Sequence, residues 1–192
     1  MDVKEAIEKR RAFRALGPVV ITDGIITDLA ASARLTASCF NNQPWRFVFA
    51  RSKDSLLKMH GCLGKNNDWV KNASLIIAAF AKKENDCVIK EREYYLFDLG
   101  MAVSAMLLRA TELGLVAHPI AGFDNENARK ALGIPEGNLV IALLIVGKKS
   151  EDLTALTPQQ AGMEAGRPQR LPPENIFSVD AYDEKLAVRP AH

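Results

Sequence analysis

The chain has 192 residues, of which 48% are hydrophobic and 25% are charged, so it has enough apolar material for one core at a common single-domain size. Its 25 basic and 23 acidic residues leave a formal charge of only +2, so the overall field favours neither nucleic acid nor an anionic membrane. No apolar run approaches the roughly 18 residues that a membrane span needs, and the charged N-terminus is unlike a signal peptide. We therefore expect one domain over residues 1–192, with neither a nucleic-acid nor a membrane partner.

The three cysteines, Cys39, Cys62 and Cys87, are an odd number and include no CxxC pair. This pattern argues against a disulfide framework and against a four-ligand zinc site. We expect reduced thiols in the cytoplasm and no metal site. We expect Cys39 to be structural, because no histidine lies in a recognisable relation to it.

The first half of the chain predicts three helices and two strands. Apolar residues at helical spacing indicate the helices, and Gly17-Pro18 ends the first of them. The strands are β-branched or aromatic segments, and the second is apolar almost throughout, as expected for a strand buried on both faces. The predicted elements are a helix over 3–16, a helix over 22–35, a strand over 46–51, a helix over 52–63 and a strand over 74–81.

The second half begins with a long predicted helix over 86–113, which is almost wholly apolar after its polar start and ends at Gly114. A helix that is apolar all round must be buried, and in a small chain we expect another subunit to cover part of it. A strand over 115–123, a short helix from Asp124 to Gly133 and a strand over 138–147 follow. Residues 150–192 are rich in proline and lack a sustained period, so we predict an extended C-terminal arm over the core or a partner subunit. Together these elements predict an α/β or α+β domain on one mixed sheet.

The segment KRRAFR places Arg10, Arg11 and Arg14 at the end of the first predicted helix. An arginine side chain offers a planar fork of donors that matches phosphate oxygens. The alternative interpretation is a solvated basic patch, which is favourable at a helix C-terminus. Spacing alone leaves both open.

Two further segments could contact a ligand. The amides of residues 41–43, in ASCFNNQP, suit the edge of a heterocycle, although asparagine before proline is also ordinary turn chemistry. In AHPIAGFD, Pro119 and Gly122 would let backbone groups approach a ligand plane. His118 is either an acid or base or a satisfied, partly buried side chain. The sequence contains no Walker loop, dinucleotide fingerprint, zincin motif or hydrolase elbow.

Taken in order, these segments resemble the nitroreductase family of flavoenzymes. The matching pieces are KRRAFR, NNQPWRF, DLGMAVSAMLLRATELGL, HPIAGFD and ALGIPEGNLVIALLIVGKK, with GRPQRLPPENI as a weaker C-terminal match. They cover about residues 2–149 and the start of the arm. The resemblance implies an α+β, nitroreductase-like fold with a central mixed β-sheet surrounded by helices. It also implies an intertwined homodimer with FMN at the interface.

The resemblance also implies the residues that hold FMN. The arginines near the two ends of the chain would bind the phosphate, the loop before Gln-Pro-Trp would come from the partner subunit, and the HPIAGFD stretch would lie against the flavin. Two positions depart from the family pattern: Ala12 replaces a serine, and Ala121 replaces a glutamate that helps to receive the nicotinamide. Either Asn66 or its neighbour Asn67 would make a polar contact with the flavin ring. The implied site consists of Arg10, Arg11, Ala12, Arg14, Ala37, Ser38, Cys39, Asn41, Asn66, Asp98, Pro119, Ile120, Ala121, Gly122, Arg167 and Arg170.

The activity implied by the resemblance is hydride transfer from NAD(P)H through FMN to an electrophilic small-molecule acceptor, such as a nitroaromatic or a quinone. We expect ping-pong turnover without a catalytic side chain, because the flavin does the chemistry. The sequence leaves open a flavin-binding redox sensor, and also an enoate reductase, a dehalogenase or a flavin-cleaving enzyme of the same family.

Overall fold

The structure is a computed structural model that describes residues 1–187; the last five residues of the predicted C-terminal arm lie outside the described residues. The six α-helices of this part include one at each predicted position, and most begin at a capping side chain such as Asp2, Thr22, Ser52 or Asp124. Their bounds are α1 Val3–Lys9, α2 Asp23–Arg34, α3 Lys53–His60, α4 Tyr94–Glu112, α5 Asn125–Ala131 and α6 Pro158–Glu164.

The main sheet has five strands, with the long strand β7 at its centre. On one side β7 pairs with β3, which in turn pairs with β2; on the other side it pairs with β6 and, further along, with the short β1. A separate hairpin consists of β4 and β5. The strands are β1 Leu16–Gly17, β2 Arg46–Ala50, β3 Leu75–Ala81, β4 Val88–Ile89, β5 Arg92–Glu93, β6 Val116–Ile120 and β7 Leu139–Lys149.

The α+β class is confirmed, but the strand directions differ from the predicted mixed sheet. Every pairing among residues 1–187 is antiparallel. Strands β3 and β6 are both antiparallel to β7, so they are parallel to each other. The long helix α4 lies between β3 and β6 in the chain. β7 lies between them and runs opposite to both, so no two parallel strands are neighbours.

Helices cover both faces of this sheet. On one face α3 and α5 pack on a core that includes Met59, Trp69 and Ile145. On the other face α2 and α4 pack on a core that includes Leu29 and Met106. Strand β3 is buried along its whole length, as its continuous apolar sequence predicted.

Two predicted helices are shorter than expected. The first ends at Lys9 rather than running to residue 16, because the chain leaves the helix at Arg10 and pairs with β7 through β1. The fourth begins at Tyr94 rather than at residue 86, because the polar stretch before it forms the hairpin of β4 and β5, with Lys90 at φ 57° in its turn. Sheet pairing therefore overrides local helix propensity at both ends.

One face of α4 is buried against the core, but the opposite face is not. Leu99, Ala102 and Met106 are fully buried, whereas Leu96 and Phe97 expose 43% and 62% of their surface. The single chain therefore leaves one face of this helix uncovered, and the expectation that another subunit covers that face stays a prediction. No helix among residues 1–187 combines the length and the apolar character needed to cross a lipid bilayer.

The C-terminal segment from residue 150 is more ordered than the prediction of an extended arm. It contains α6, which Thr157 and Gln160 cap reciprocally, and short 3₁₀ turns at Pro173–Asn175 and Glu184–Ala187. Helix α6 returns to the start of the chain and packs beside the stretch that follows α1.

Candidate functional site

A cavity of 180 Å³ lies where the end of α1 meets the segment after α6. Its walls come from both ends of the chain. The lining residues are Arg10, Arg11, Ala12, Arg14, Met163, Arg167, Pro168 and Arg170. The structure thus brings together all the arginines that the sequence assigned to phosphate.

Backbone contacts hold the two walls of this cavity together. The guanidinium of Arg11 donates to the carbonyl oxygens of Met163, at 2.9 Å, and of Glu164 and Gly166. From the opposite side, Arg167 donates to the carbonyl oxygens of Glu8, at 2.6 Å, and Arg10, at 2.8 Å. Arg11 and Arg167 are therefore held by carbonyl acceptors, which leave their positive charges uncompensated.

The carboxylate of Glu164 also lies beside the cavity, and it faces the backbone. Its Oε1 accepts a hydrogen bond from the amide of Arg14 at 3.0 Å, and its Oε2 accepts one from the amide of Ala15 at 3.4 Å. This carboxylate therefore joins α6 to the segment after α1.

The cavity is strongly electropositive. Within residues 1–187, none of its five arginines lies within ion-pair distance of a carboxylate. Burial lowers the pKa of Arg10 below its ordinary value, and the nearby charges of Arg167 and Arg170 lower it further. An anion in the cavity would relieve this repulsion, so the arrangement is suited to a phosphate-like group.

A second, more open groove continues from Arg14 past Asn66 to the start of α6. Asn66 has a left-handed backbone with φ 68°, and its carbonyl oxygen accepts a hydrogen bond from Gln160 at 2.8 Å. Sequence reasoning left Asn66 and Asn67 as alternatives for a ligand contact. The structure places Asn66 in this groove, which Arg14 also lines.

Asn67 instead supports the stretch after β6. Its side-chain amide donates to the carbonyl oxygen of Gly122 at 2.8 Å, and the amide of Gly64 donates to the same oxygen at 2.9 Å. A Cβ at Gly122 would lie 2.7 Å from the Asn67 amide nitrogen. The absence of a Cβ at Gly122 therefore leaves room for the Asn67 side chain, a contact that sequence reasoning did not identify.

The stretch from Pro119 to Gly122 changes from buried strand to open surface. Pro119 is half-buried and Ile120 is buried at the end of β6, whereas Ala121 and Gly122 are exposed. An exposed pair of small residues on a fixed backbone provides a flat surface against which a planar group can lie.

His118, one step earlier on β6, is a packed side chain rather than an acid or base. Its ring lies 4.8 Å from that of Trp69, centroid to centroid, and its Nδ1–H donates to the carbonyl oxygen of Phe13 at 3.1 Å. Burial lowers the pKa of His118 to about 4. The charges of Arg14 and Arg10 lower it as well, whereas the hydrogen bond that the ring donates to the carbonyl oxygen of Phe13 raises it. The ring is therefore neutral at physiological pH.

The remaining predicted residues form a separate group around the loop that follows α2. Ala37 is exposed, and the Oγ of Ser38 accepts from the amide of Gln43 at 3.0 Å. The amide of Cys39 donates to the buried carboxyl of Asp98, on α4, at 2.7 Å. The structure shows no hydrogen bond between this group and the arginine cavity within residues 1–187.

The loop is held in an unusual backbone conformation. Phe40, Asn41 and Gln43 have φ values of 48°, 61° and 49°, a region that non-glycine residues seldom adopt. The side-chain amide of Gln43 donates to the carbonyl oxygen of Asn41 at 3.1 Å, which supports this local fold. The loop therefore has a fixed shape within the chain.

The prediction of reduced cysteines is wrong for two of the three. Cys39 and Cys87 form a disulfide, with Cα atoms 6.1 Å apart, and only Cys62 is a free, buried thiol. The odd count and the missing CxxC pair could not indicate this bond, because the fold joins two cysteines that are 48 positions apart. Asp86 brings a carboxylate oxygen within 4.8 Å of both sulfur atoms, a spacing that metal ligands also show. A metal would need both sulfurs as thiolates, so we interpret this group as a disulfide site.

Sequence reasoning missed Met163, Pro168 and Glu164, which line or hold the arginine cavity. The GRPQR segment indicated the arginines on this side of the cavity, but no residue pattern singled out α6. Only the fold brings this helix to the N-terminal segment.

Comparison with known proteins gives a consistent result. The nitroreductase family model matches residues 59–148. The chain is 26% identical over 188 residues to YdgI of Bacillus subtilis (strain 168), a protein provisionally named an NAD(P)H nitroreductase, covering 79% of this chain and 90% of YdgI.

Two solved structures are similar in fold and in sequence. A nitroreductase family protein from Clostridium novyi NT has a TM-score of 0.74 and 25% identity, with 79% of this chain and 87% of that chain covered. An oxidoreductase described as containing FMN has a TM-score of 0.82 and 26% identity, with 95% of this chain and 94% of that chain covered. The ordered motifs, the fold and these similarities lead to one conclusion: the chain belongs to the nitroreductase family.

Proposed function

We propose that this protein is an FMN-dependent oxidoreductase that uses NAD(P)H to reduce an electrophilic small molecule. The observation that carries the proposal is the cavity with five arginines and no carboxylate partner within residues 1–187. The names of two similar proteins support it, since one is described as containing FMN and the other is provisionally named for NAD(P)H nitroreductase activity.

The residues present fit FMN. Arg10, Arg14 and Arg170 would hold its phosphate, because their guanidinium groups line the cavity and lack anionic partners. Asn66 continues the groove from this cavity, and the exposed Ala121 and Gly122 would lie against the planar ring. Bound FMN would supply the hydride chemistry, while the protein supplies binding and orientation.

The loop from Ala37 to Asn41 and Asp98 would complete the site from a second copy of the chain. Within residues 1–187 no hydrogen bond joins these residues to the arginine cavity, and the family resemblance implies that both groups contact one flavin. We therefore propose a homodimer in which each flavin contacts both subunits. The exposed apolar side chains of Phe40 and Phe97, on this second group, supply a surface for such contact.

We further propose ping-pong turnover, in which NAD(P)H and then the acceptor occupy the same open surface beside Ala121. Nitroaromatic compounds and quinones are the acceptor classes that this scheme accommodates. The cytoplasmic location expected from the sequence stays a prediction.

The test is flavin binding followed by reduction. We expect the purified protein to show flavin absorbance, and the band to bleach when NADH or NADPH is added without oxygen. Arg170→Ala should weaken FMN binding by about 1.5 to 3 kcal/mol, the range for a hydrogen bond to a charged group. Arg51→Ala is the matched control, because Arg51 pairs with Asp23 on the surface, away from the cavity.

A protein that neither contains nor takes up FMN would refute the proposal. Equal FMN affinity in the Arg170 variant and the wild type would place the phosphate elsewhere. Absorbance without bleaching would leave a flavin-binding protein with a different electron donor or a sensory role.

A further inference from the structure

The two short helices beside the arginine cavity have their C-terminal ends capped by arginines from distant parts of the chain. Helices α1 and α6 contain seven residues each, and an isolated helix shorter than about 12 residues is marginal in water. Asp2 caps the start of α1, and Thr157 with Gln160 caps the start of α6. The last carbonyl groups of a helix have no partner within the helix, so the other ends of α1 and α6 depend on contacts from elsewhere.

Arg11 caps the end of α6. Its guanidinium donates to the carbonyl oxygens of Met163 at 2.9 Å, of Glu164 at 3.2 Å and of Gly166. One face of the same group lies over the ring of Phe13, with the guanidinium carbon 4.4 Å from the ring centroid. A cation at this end of a helix is also stabilised by the helix dipole. The Arg11 side chain is therefore bound to α6 along its edge and to Phe13 on its face.

Arg167 caps the end of α1 in the same way. It donates to the carbonyl oxygens of Glu8 and Arg10, and Arg10 is the residue at which α1 ends. Arg11 follows α1 and binds α6, whereas Arg167 follows α6 and binds α1. The two walls of the cavity therefore cap each other reciprocally.

The other three arginines of the cavity have no such contacts. Within residues 1–187 the guanidinium groups of Arg10, Arg14 and Arg170 donate to no carbonyl oxygen, although all three line the cavity. Their donors remain free to bind a ligand. The five arginines therefore divide into two that bind the backbone and three that face the cavity.

We propose that Arg11 and Arg167 are positioning residues, which hold the two walls so that Arg10, Arg14 and Arg170 converge on one phosphate group. Neither positioning residue has to touch the phosphate. The identity of the ligand rests on the proposed FMN site, whereas the capping contacts do not depend on it. Because both caps join the same two walls, loss of either one loosens both helices.

The first test is amide hydrogen exchange in the full-length protein without added ligand. Arg11→Met and Arg167→Met each remove at least two hydrogen bonds to a charged group. We expect exchange to rise by about tenfold or more in both α1 and α6 in either variant, and to stay unchanged in β3 and β7. Arg170→Met is the matched control, because it removes a cavity arginine that caps neither helix, and its exchange should equal that of the wild type.

Exchange that is unchanged in Arg11→Met, or raised only in the helix that lost its own cap, would overturn the proposal. Arg11→Lys keeps the charge but replaces the planar fork with a single ammonium group. We expect an intermediate rise in exchange for this variant. It also provides the test if Arg11→Met does not fold.

The second test measures the release of FMN after dilution, followed by flavin fluorescence. We expect Arg11→Met to release FMN about tenfold faster than the wild type. Saturating FMN should restore the protection of α1 and α6 in this variant, because a ligand that binds both walls favours the closed arrangement. Faster exchange with unchanged FMN release would overturn the positioning role, since the caps would then stabilise the helices alone. A wild type that binds no FMN would refute the proposed function, and the first test, with inorganic phosphate as the protecting ligand, would still decide the role of the caps.

Discussion

His118 shows how strongly a buried position can change an ionisable side chain. It is 6% exposed, packs against Trp69 and donates to the carbonyl oxygen of Phe13, which precedes Arg14 of the arginine cavity. Its pKa falls from 6.5 to about 4, mainly because of burial. Between pH 4 and pH 6.5, the His118 ring therefore binds fewer protons in the folded protein than in the unfolded chain.

This difference makes stability depend on pH in a known direction. Because the pKa is lowered on folding, stability is lost as pH falls below 6.5 towards 4. His118 should account for a loss of about 2 to 3 kcal/mol in the free energy of unfolding between pH 7 and pH 4.5. Urea denaturation at the two pH values measures the loss.

The control is His118→Asn, whose amide can still donate to the carbonyl oxygen of Phe13. Carboxylates elsewhere titrate equally in the wild type and in this variant. The loss of stability between pH 7 and pH 4.5 should therefore be smaller in the variant by about 2 to 3 kcal/mol. An equal loss in both proteins would show that His118 is not the group responsible.

Single residues were predictable from the sequence where their chemistry is distinctive. Arg10, Arg167 and Arg170 meet in one cavity, as the motifs near the two ends of the chain indicated. Asn67 and Glu164 were not predictable, because their roles consist of hydrogen bonds to backbone atoms that are distant in sequence. Such contacts depend on backbone positions, which carry no residue-specific signal.

The turn after β6 leaves little room for a side chain at Gly122. Gly122→Ala would place a Cβ 2.7 Å from the Asn67 amide nitrogen, so Asn67 must move and weaken its hydrogen bond to the Gly122 carbonyl. Weakening one hydrogen bond costs about 0.5 to 1.5 kcal/mol, and we expect the free energy of unfolding to fall by that amount. Chemical denaturation gives the value.

Gly162→Ala provides the matched comparison on α6. A Cβ there meets nothing within 4 Å, and alanine is the better helix former, so this variant should gain up to about 1 kcal/mol. If Gly122→Ala were as stable as the wild type, the turn would be able to adjust and the close packing would have no energetic consequence.

The elements themselves were predictable where burial determines them. The continuous apolar runs over 74–81 and 138–147 correspond to β3 Leu75–Ala81 and β7 Leu139–Lys149. The C-terminal end of α1 and the start of α4 could not be predicted, because sheet pairing at residues 16–17 and 88–93 competes with helix propensity. Strand order was equally inaccessible, since no local pattern indicates that β7 lies between β3 and β6.

For the whole molecule, the main prediction concerns the proposed dimer. Phe97, on the outer face of α4, is 62% exposed, and a charged residue there would have to be desolvated in an interface. We expect Phe97→Asp to weaken dimerisation by about 2 kcal/mol or more, roughly 30-fold, as for a central interface residue. Sedimentation equilibrium measures the dissociation constant.

Leu57→Asp is the comparison variant, because Leu57 is 67% exposed on α3, at the opposite face of the sheet. It should leave the dimer intact. A monomeric wild type, or equal weakening by both variants, would contradict the assignment of this face. Loss of FMN together with loss of the dimer in Phe97→Asp would support a flavin held by two subunits.

The arginine cavity also determines when the protein can acquire its ligand during synthesis. One wall consists of residues 10–14 and the other of residues 163–170, joined by Glu164 and Arg167. During translation, residues 10–14 are made long before residues 163–170, so the cavity stays incomplete until the second wall has been made. If the proposed phosphate site is correct, its ligand can therefore bind only after residues 163–170 have been made.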